Sequence, residues 1–376
     1  MTSLRQLARR LLCTAITATS LAGMATTAHA DITIGQTAGY TGTVASSVKE
    51  ASQGAKMYFD AVNASGGING QKITLVSLDD KFDAKLAAAN AKTLIDQGVM
   101  ALFLVRGTPL TQAIMPLLTE YKIPLVAPST GAMVLHKPVH PWLFNVRATY
   151  QREAERAIEH LSLIGVDRIA IVQVDDTFGE DAVVGAHAGL AKVNKTAVAH
   201  EKYDRAKPDF GPIVPKVLAK QPQAILFIGS GTAVVQGMKA MRAAGSTAQL
   251  VTLSNNASAG FIKDLGDIAY GVIVSQVFPY ERSIAKPIIK EALEASRAAG
   301  VELTPTVVEG YVSAKVLVEG LKRAGKQPTR ASLRQALEGM SHYDVGGIEM
   351  GYSPTDHTGL EYVDLSIIDQ AGKFRR

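Results

Sequence analysis

Apolar and polar positions alternate on two length scales along this 376-residue chain. Short runs rich in Val, Ile and Leu stand at Ile32–Ile34, Ile73–Leu78, Met100–Val105, Leu125–Ala127, Ile169–Val174, Ala224–Ile228, Leu250–Leu253 and Val272–Val277. Between them, apolar residues recur every three or four positions at Val48–Asn63, Ala84–Gln97, Thr111–Tyr121, Arg152–Ile164, Ala182–Val193 and Val234–Ala244. The runs predict buried strands and the longer stretches predict amphipathic helices, so the fold class is α/β with parallel sheets covered on both faces. Glycine after the last turn marks helix ends at Gly66-Gly67, Gly98, Gly245 and Gly300. Two further helices are predicted at Ala285–Ala298 and Val307–Ala324, and the tail returns to strand at Val345–Ile348 and Glu361–Ile368.

Two extended stretches, Trp142–Arg147 and Gln276–Tyr280, divide the pattern into two αβ blocks. With the returning tail they predict discontinuous lobes. The first is expected to hold residues 31–146 plus 280–344, and the second 147–279 plus 345–376.

Residues 1–30 look like a separate segment. Arg5, Arg9 and Arg10 precede an apolar stretch ending in Ala28-His29-Ala30, which predicts a signal peptide cleaved before Asp31 and export to the periplasm. The competing reading is a membrane anchor, against which stand the shortness of the apolar core and its Thr and Ala content. The segment carries three of the 39 Lys and Arg and none of the 34 acids, so the net charge of +5 falls to +2 on cleavage. No basic block suggests nucleic acid. The single cysteine, Cys13, leaves with the segment, and the remaining chain can form neither a disulfide nor a thiolate site.

Motifs for catalysis or cofactors fail on inspection. Gly229-Ser230-Gly231 opens a helix where a dinucleotide fingerprint would sit, but Val234 occupies the third glycine position. Gly320 to Lys326 resembles a phosphate loop, but Gln327 replaces the magnesium-holding hydroxyl and the stretch ends a helix. His136 and His140 are separated by Pro138 and read as loop histidines. No G-x-S-x-G elbow is present, and Asp79-Asp80 read as loop and cap residues. No catalytic residue, metal or cofactor is implied. What remains is neutral polar loops at strand ends: Gly107-Thr108, Ser129-Thr130-Gly131, Ser230 and Ser254-Asn255. Open α/β sheets bind ligands at the carboxyl ends of their strands, and hydroxyls with freed amides suit a carboxylate.

Several motifs, in order, resemble one family: Asn63-Ala64-Ser65-Gly66-Gly67-Ile68-Asn69-Gly70, Asp79-Asp80, Ala127-Pro128-Ser129-Thr130-Gly131, Asp175-Asp176-Thr177-Phe178-Gly179, Gly229-Ser230-Gly231, Val274 to Pro279, and Glu309-Gly310-Tyr311. The chain from Asp31 onward is similar to the periplasmic substrate-binding proteins of branched-chain amino acid ABC transporters, the leucine/isoleucine/valine-binding type. The resemblance implies two Rossmann-like lobes joined by three crossovers, the type I periplasmic binding fold, closing on a small molecule and delivering it, as a monomer, to a membrane permease. A periplasmic sensor of the same fold is the alternative. It also implies that Thr108 replaces a serine that holds the ligand carboxylate, with Ser129 and Thr130 in the partner loop and Phe178 offered by the second lobe. Ser230 stands for a tyrosine, and Ser254 for the acid that meets the α-ammonium. Ser47, on the loop where an aromatic lid is lost, and Tyr150 complete the candidate contacts. Glu309 is open to two readings, a substitute anion or a cap at the core edge. A buried ammonium without an anion is costly. Position 254 therefore leads to the expectation that a carboxylate lacking the ammonium binds more tightly than leucine, isoleucine or valine.

Overall fold

The computed structural model describes residues 30–376. The expected signal peptide and Cys13 lie outside the described residues, apart from Ala30. The chain from Ile32 to Arg376 forms two lobes, each built on its own sheet. The first sheet has five strands in the order β2-β1-β3-β4-β5, all parallel: β1 Ile32–Ala38, β2 Ile73–Asp79, β3 Ala101–Phe103, β4 Leu125–Val126 and β5 Leu143–Phe144. The second has seven in the order β14-β13-β10-β9-β8-β6-β7, with β6 Ile169–Val174, β7 Ala199–Tyr203, β8 Ala224–Ile228, β9 Gln249–Thr252 and β10 Ile273–Gln276 parallel. At one end of this sheet β13 Asp364–Ile368 and the edge strand β14 Phe374–Arg375 run antiparallel to their neighbours. β8 is an unbroken apolar run and β6 is interrupted only by Gln173, because helices cover both faces; every residue of β6 and β8 is buried.

Helices follow the strands where the pattern placed them, with caps that explain their starts. Asp83 accepts from Leu86 N, Thr149 from Arg152 N, and Asp176 from Phe178 N and Gly179 N. Asp79 and Asp80 secure the loop before Ala84–Asp96 while Asp83 caps it, so the adjacent acid pair is a loop device. Burial pushes the Asp80 carboxyl up to about 6.

The chain passes between lobes three times: after β5, after β10, and between Tyr352 and β13. Trp142–Arg147, expected to be wholly a crossover, first completes the first sheet through β5 and only then crosses. The tail also departs from its expected boundary. A short antiparallel hairpin, β11 Tyr343–Asp344 with β12 Glu349–Met350, replaces the strand predicted at Val345–Ile348. Val345, Met350, Tyr352 and Leu360 are buried in the first lobe's core, and only the strands from Asp364 onward join the second sheet. The assignment of all of 345–376 to the second lobe is therefore corrected. Tyr352 anchors the segment, edge-on to Phe144 at 5.4 Å with its hydroxyl on the Asn145 carbonyl at 2.5 Å. Among the described residues, no helix is long and apolar enough to cross a membrane.

Candidate functional site

The site lies where the carboxyl ends of both sheets face each other. In the first lobe, the chain beyond β3 runs through Val105 and Arg106 to Gly107, which stands at φ 97° and leads into the helix Thr108–Glu120. The loop after β4 lies alongside, since Ser129 N donates to Val105 O at 2.8 Å. This alignment sets the Thr108 and Thr130 hydroxyls 2.7 Å apart and brings the Ser129 hydroxyl within 2.9 Å of Arg106 Nη1. Gly131 accepts from Tyr150 N at 2.8 Å, which ties this loop to the start of the first helix of the second lobe.

In the second lobe, the turn after β9 carries Ser254, Asn255 and Asn256, all buried. Asn255 Nδ2 donates to Gly229 O and to the Ser230 hydroxyl, at 2.9 and 3.0 Å. Its backbone carbonyl accepts from Arg106 Nη2 at 2.7 Å, a bond that spans the cleft. The Tyr150 and Phe178 rings lie 4.5 Å apart, with the Arg147 guanidinium 4.6 Å above Tyr150. Ser47 donates to Val44 O at 3.0 Å and lines a narrow gap shared with Gly231 and Asn255.

A layer of buried ions runs through these loops. Arg147, on the first crossover, bonds Glu153 and the Ser254 hydroxyl, the latter at 2.6 Å, and its Nη1 lies 3.8 Å from Glu309 Oε1. Glu153 Oε2 also accepts from Ser254 N at 2.9 Å and from the Ser275 hydroxyl at 2.5 Å. Glu309 Oε1 accepts from Ser129 at 2.8 Å. Burial works against the Arg147 charge, but Tyr150, Glu153 and Glu309 outweigh it and strengthen its hold on the proton. Arg106 differs: its hydrogen bonds end on neutral oxygens, and burial pulls its affinity for the proton down. Arg147 Nε and Nη1 and Asn255 Oδ1 are buried without a hydrogen bond among the described residues. Buried polar atoms of this kind need an explanation, and a polar ligand supplies one.

The structure thus joins Thr108 to Thr130; Ser129 to Glu309; Ser254 to the Arg147 layer; Asn255 to Ser230; and Tyr150 to Phe178. Glu309, open between two readings above, is neither a cap nor at the edge: it is buried within the helix Pro305–Arg323 and faces Ser129 and Arg147. Sequence reasoning missed Arg106, Arg147, Glu153 and Ser275. Two left a signal. Arg106 is a charge placed directly after the apolar run Met100–Val105. Glu153 falls on the apolar stripe of its helix, among Tyr150, Ala154 and Ala157, where a solvated acid has no place.

Two αβ lobes, crossed three times by the chain and pressed together over a buried polar layer, define the class: a two-lobed α/β binding protein. The chain belongs to the periplasmic binding protein family, whose model matches residues 31–373. It is 26% identical over 324 residues to an amino acid binding protein of Pseudomonas aeruginosa, covering 85% of this chain and 86% of that one. A Leu/Ile/Val-binding protein homolog of Brucella melitensis is 23% identical over 351 residues, covering 91% and 93%. Among solved structures, a substrate-binding periplasmic protein from Ralstonia solanacearum superposes with a TM-score of 0.85 at 34% identity, covering 92% of this chain and 99% of that one.

Proposed function

We propose that residues 31–376 are exported to the periplasm, bind a small carboxylate-bearing solute between the lobes, and deliver it as a monomer to the permease of an ABC importer. Membership of the family supports the role, and the basic, apolar, A-x-A start of the chain supports export.

The observation that carries the ligand reading is the layout of charge. Two guanidinium groups and two carboxyl groups meet in the site, so formal charge balances, but unevenly. Both carboxyl groups lie beside Arg147, while among the described residues Arg106 hydrogen-bonds neutral oxygens and reaches Glu309 at one remove, through the Ser129 hydroxyl. A ligand's acid end is matched at Arg106 with the Thr108 and Thr130 hydroxyls, and a cationic group at Glu309. An anion alone would bring unbalanced charge into a buried site. The layout therefore favours a net-neutral ligand such as an amino acid, against the expectation drawn from Ser254, because the anion comes from Glu309 in the other lobe.

The test is calorimetry of residues 31–376 against aliphatic and aromatic amino acids, each paired with its des-amino acid. The amino acid of at least one pair should bind at least tenfold more tightly, and Glu309→Gln should shrink that preference. Tighter binding by des-amino acids throughout overturns the charge reading. Failure of every carboxylate overturns the ligand class.

A further inference from the structure

Away from the ligand loops, a second set of contacts joins the lobes. Glu50 lies on the first helix of the first lobe, Ala45–Ala64. Its carboxyl group leaves that lobe and accepts from the backbone amides of Ala259 and Gly260, both at 3.1 Å. These amides open the helix Ala259–Leu265 in the second lobe. Ser258 accepts from the next amide, Phe261 N, so Glu50 supplies the part of the cap that the helix does not supply itself. On its own side Glu50 is steadied by the Thr304 hydroxyl, which donates to Oε2 at 2.8 Å and in turn caps the helix Pro305–Arg323 through Val307 N. The approach is close: a Cβ on Gly260 would lie 1.6 Å from the Ser46 Oγ.

We propose that Glu50 is a positioning residue for ligand binding: it touches no ligand-loop residue, but its bonds exist only when the lobes meet, so it sets the stability of the closed form and the rate at which a bound molecule leaves. This goes beyond the ligand reading and does not depend on which solute is bound.

The carboxyl group also makes the contact pH-dependent, and the sign follows from its surroundings. Burial pushes its affinity for the proton above that of a free glutamate, against the opposing hydrogen bonds of Thr304, Gly260 and Ala259, with Glu302 adding like charge. The other titratable and charged groups nearby are Lys263 and Asp264 on the capped helix, and, around the adjoining cavity, Arg282, Lys373 paired with Glu302, and Glu281, whose carboxyl burial pushes up to about 7. In the open form Glu50 is freed toward an ordinary value. The closed form then binds the proton more readily, so closure strengthens as pH falls and weakens as pH rises through the raised value. A protonated carboxyl can keep all three contacts, accepting from the amides and sharing a proton with Thr304.

The experiment uses the absence of cysteine after residue 30. Lys85→Cys and Lys239→Cys, exposed positions on separate lobes, carry a fluorescent pair that reads the lobe-to-lobe distance. The distance is measured between pH 5 and 8, alone and with 5 mM leucine or 4-methylpentanoate, in otherwise unchanged protein, Glu50→Gln and Glu50→Ala. The unchanged protein should shift toward the closed distance as pH falls. Glu50→Gln should lose the pH response and lie between the unchanged protein and Glu50→Ala at pH 7, because its one carbonyl oxygen replaces two acceptors. Glu50→Ala should be more open at every pH while its melting temperature stays within a few degrees, since the amides then face water on opening but nothing on closing. Equal distances in all three proteins, or Gln and Ala variants that behave alike, overturn the proposal.

Discussion

At the scale of single residues, the site is held by groups that cannot be removed one at a time. Arg147 is the clearest case. Its removal in Arg147→Met would leave Glu153 buried beside Ser254 and Ser275 without a cation. Breaking a buried pair from one side costs about 3–5 kcal/mol, so the denaturation midpoint should fall sharply. The double variant Arg147→Met/Glu153→Leu should recover much of the loss, because no orphan charge remains. Thr108→Ala and Thr130→Ala should each weaken ligand binding by about 1–3 kcal/mol if these hydroxyls meet a carboxylate, which calorimetry reads directly. His136 is a different kind of residue. Burial lowers it to about 4, and neither ring nitrogen is hydrogen-bonded among the described residues. The unfolded chain binds its proton near 6.5, so stability is full above that value and is lost as pH falls toward 4, by up to about 1.4 kcal/mol per pH unit. His136→Leu should flatten that slope in urea titrations at pH 5 and 7.

At the scale of elements, strand and helix identity were legible wherever a period ran long enough. β6 and β8 stand at the boundaries the apolar runs marked, and the helices agree within a few residues. The misses have physical reasons. β5 is two residues long and β7, AHEKY, is a polar edge strand, so neither shows an apolar run. The helix Arg330–Glu338 buries only Leu333 and Leu337, too few to display a period. The polar site was half legible. Hydroxyls at strand ends announce themselves, but the Arg147 layer assembles residues 147, 153, 254, 275 and 309, whose proximity only the fold creates. Elements also set the closeness of the lobes. Gly260→Ala would drive a methyl group into Ser46, so it should reduce ligand affinity at least tenfold and leave the melting temperature nearly unchanged.

At the scale of the molecule, the three crossings interleave the lobes along the chain. The first lobe's core draws on Ile32 and Phe59 near one end and on Tyr311, Leu337 and Leu360 near the other, with Tyr58 edge-on to Tyr311 at 5.1 Å. The second lobe's parallel strands, β6 to β10, are complete by Gln276. Contacts of such long sequence separation are slow to form, because loop closure precedes the reward. A chain emerging from a membrane pore amino end first would therefore build its lobes out of order. The sheet written second can assemble its parallel strands while the one written first still waits for the last of its covering helices, Pro305–Arg323 and Arg330–Glu338. If the chain is exported as proposed, the first sheet's apolar face, which Phe59 already covers at Phe103, gains the rest of its cover, Tyr311 and Leu337 among it, last of all, and a holding factor would meet the chain there.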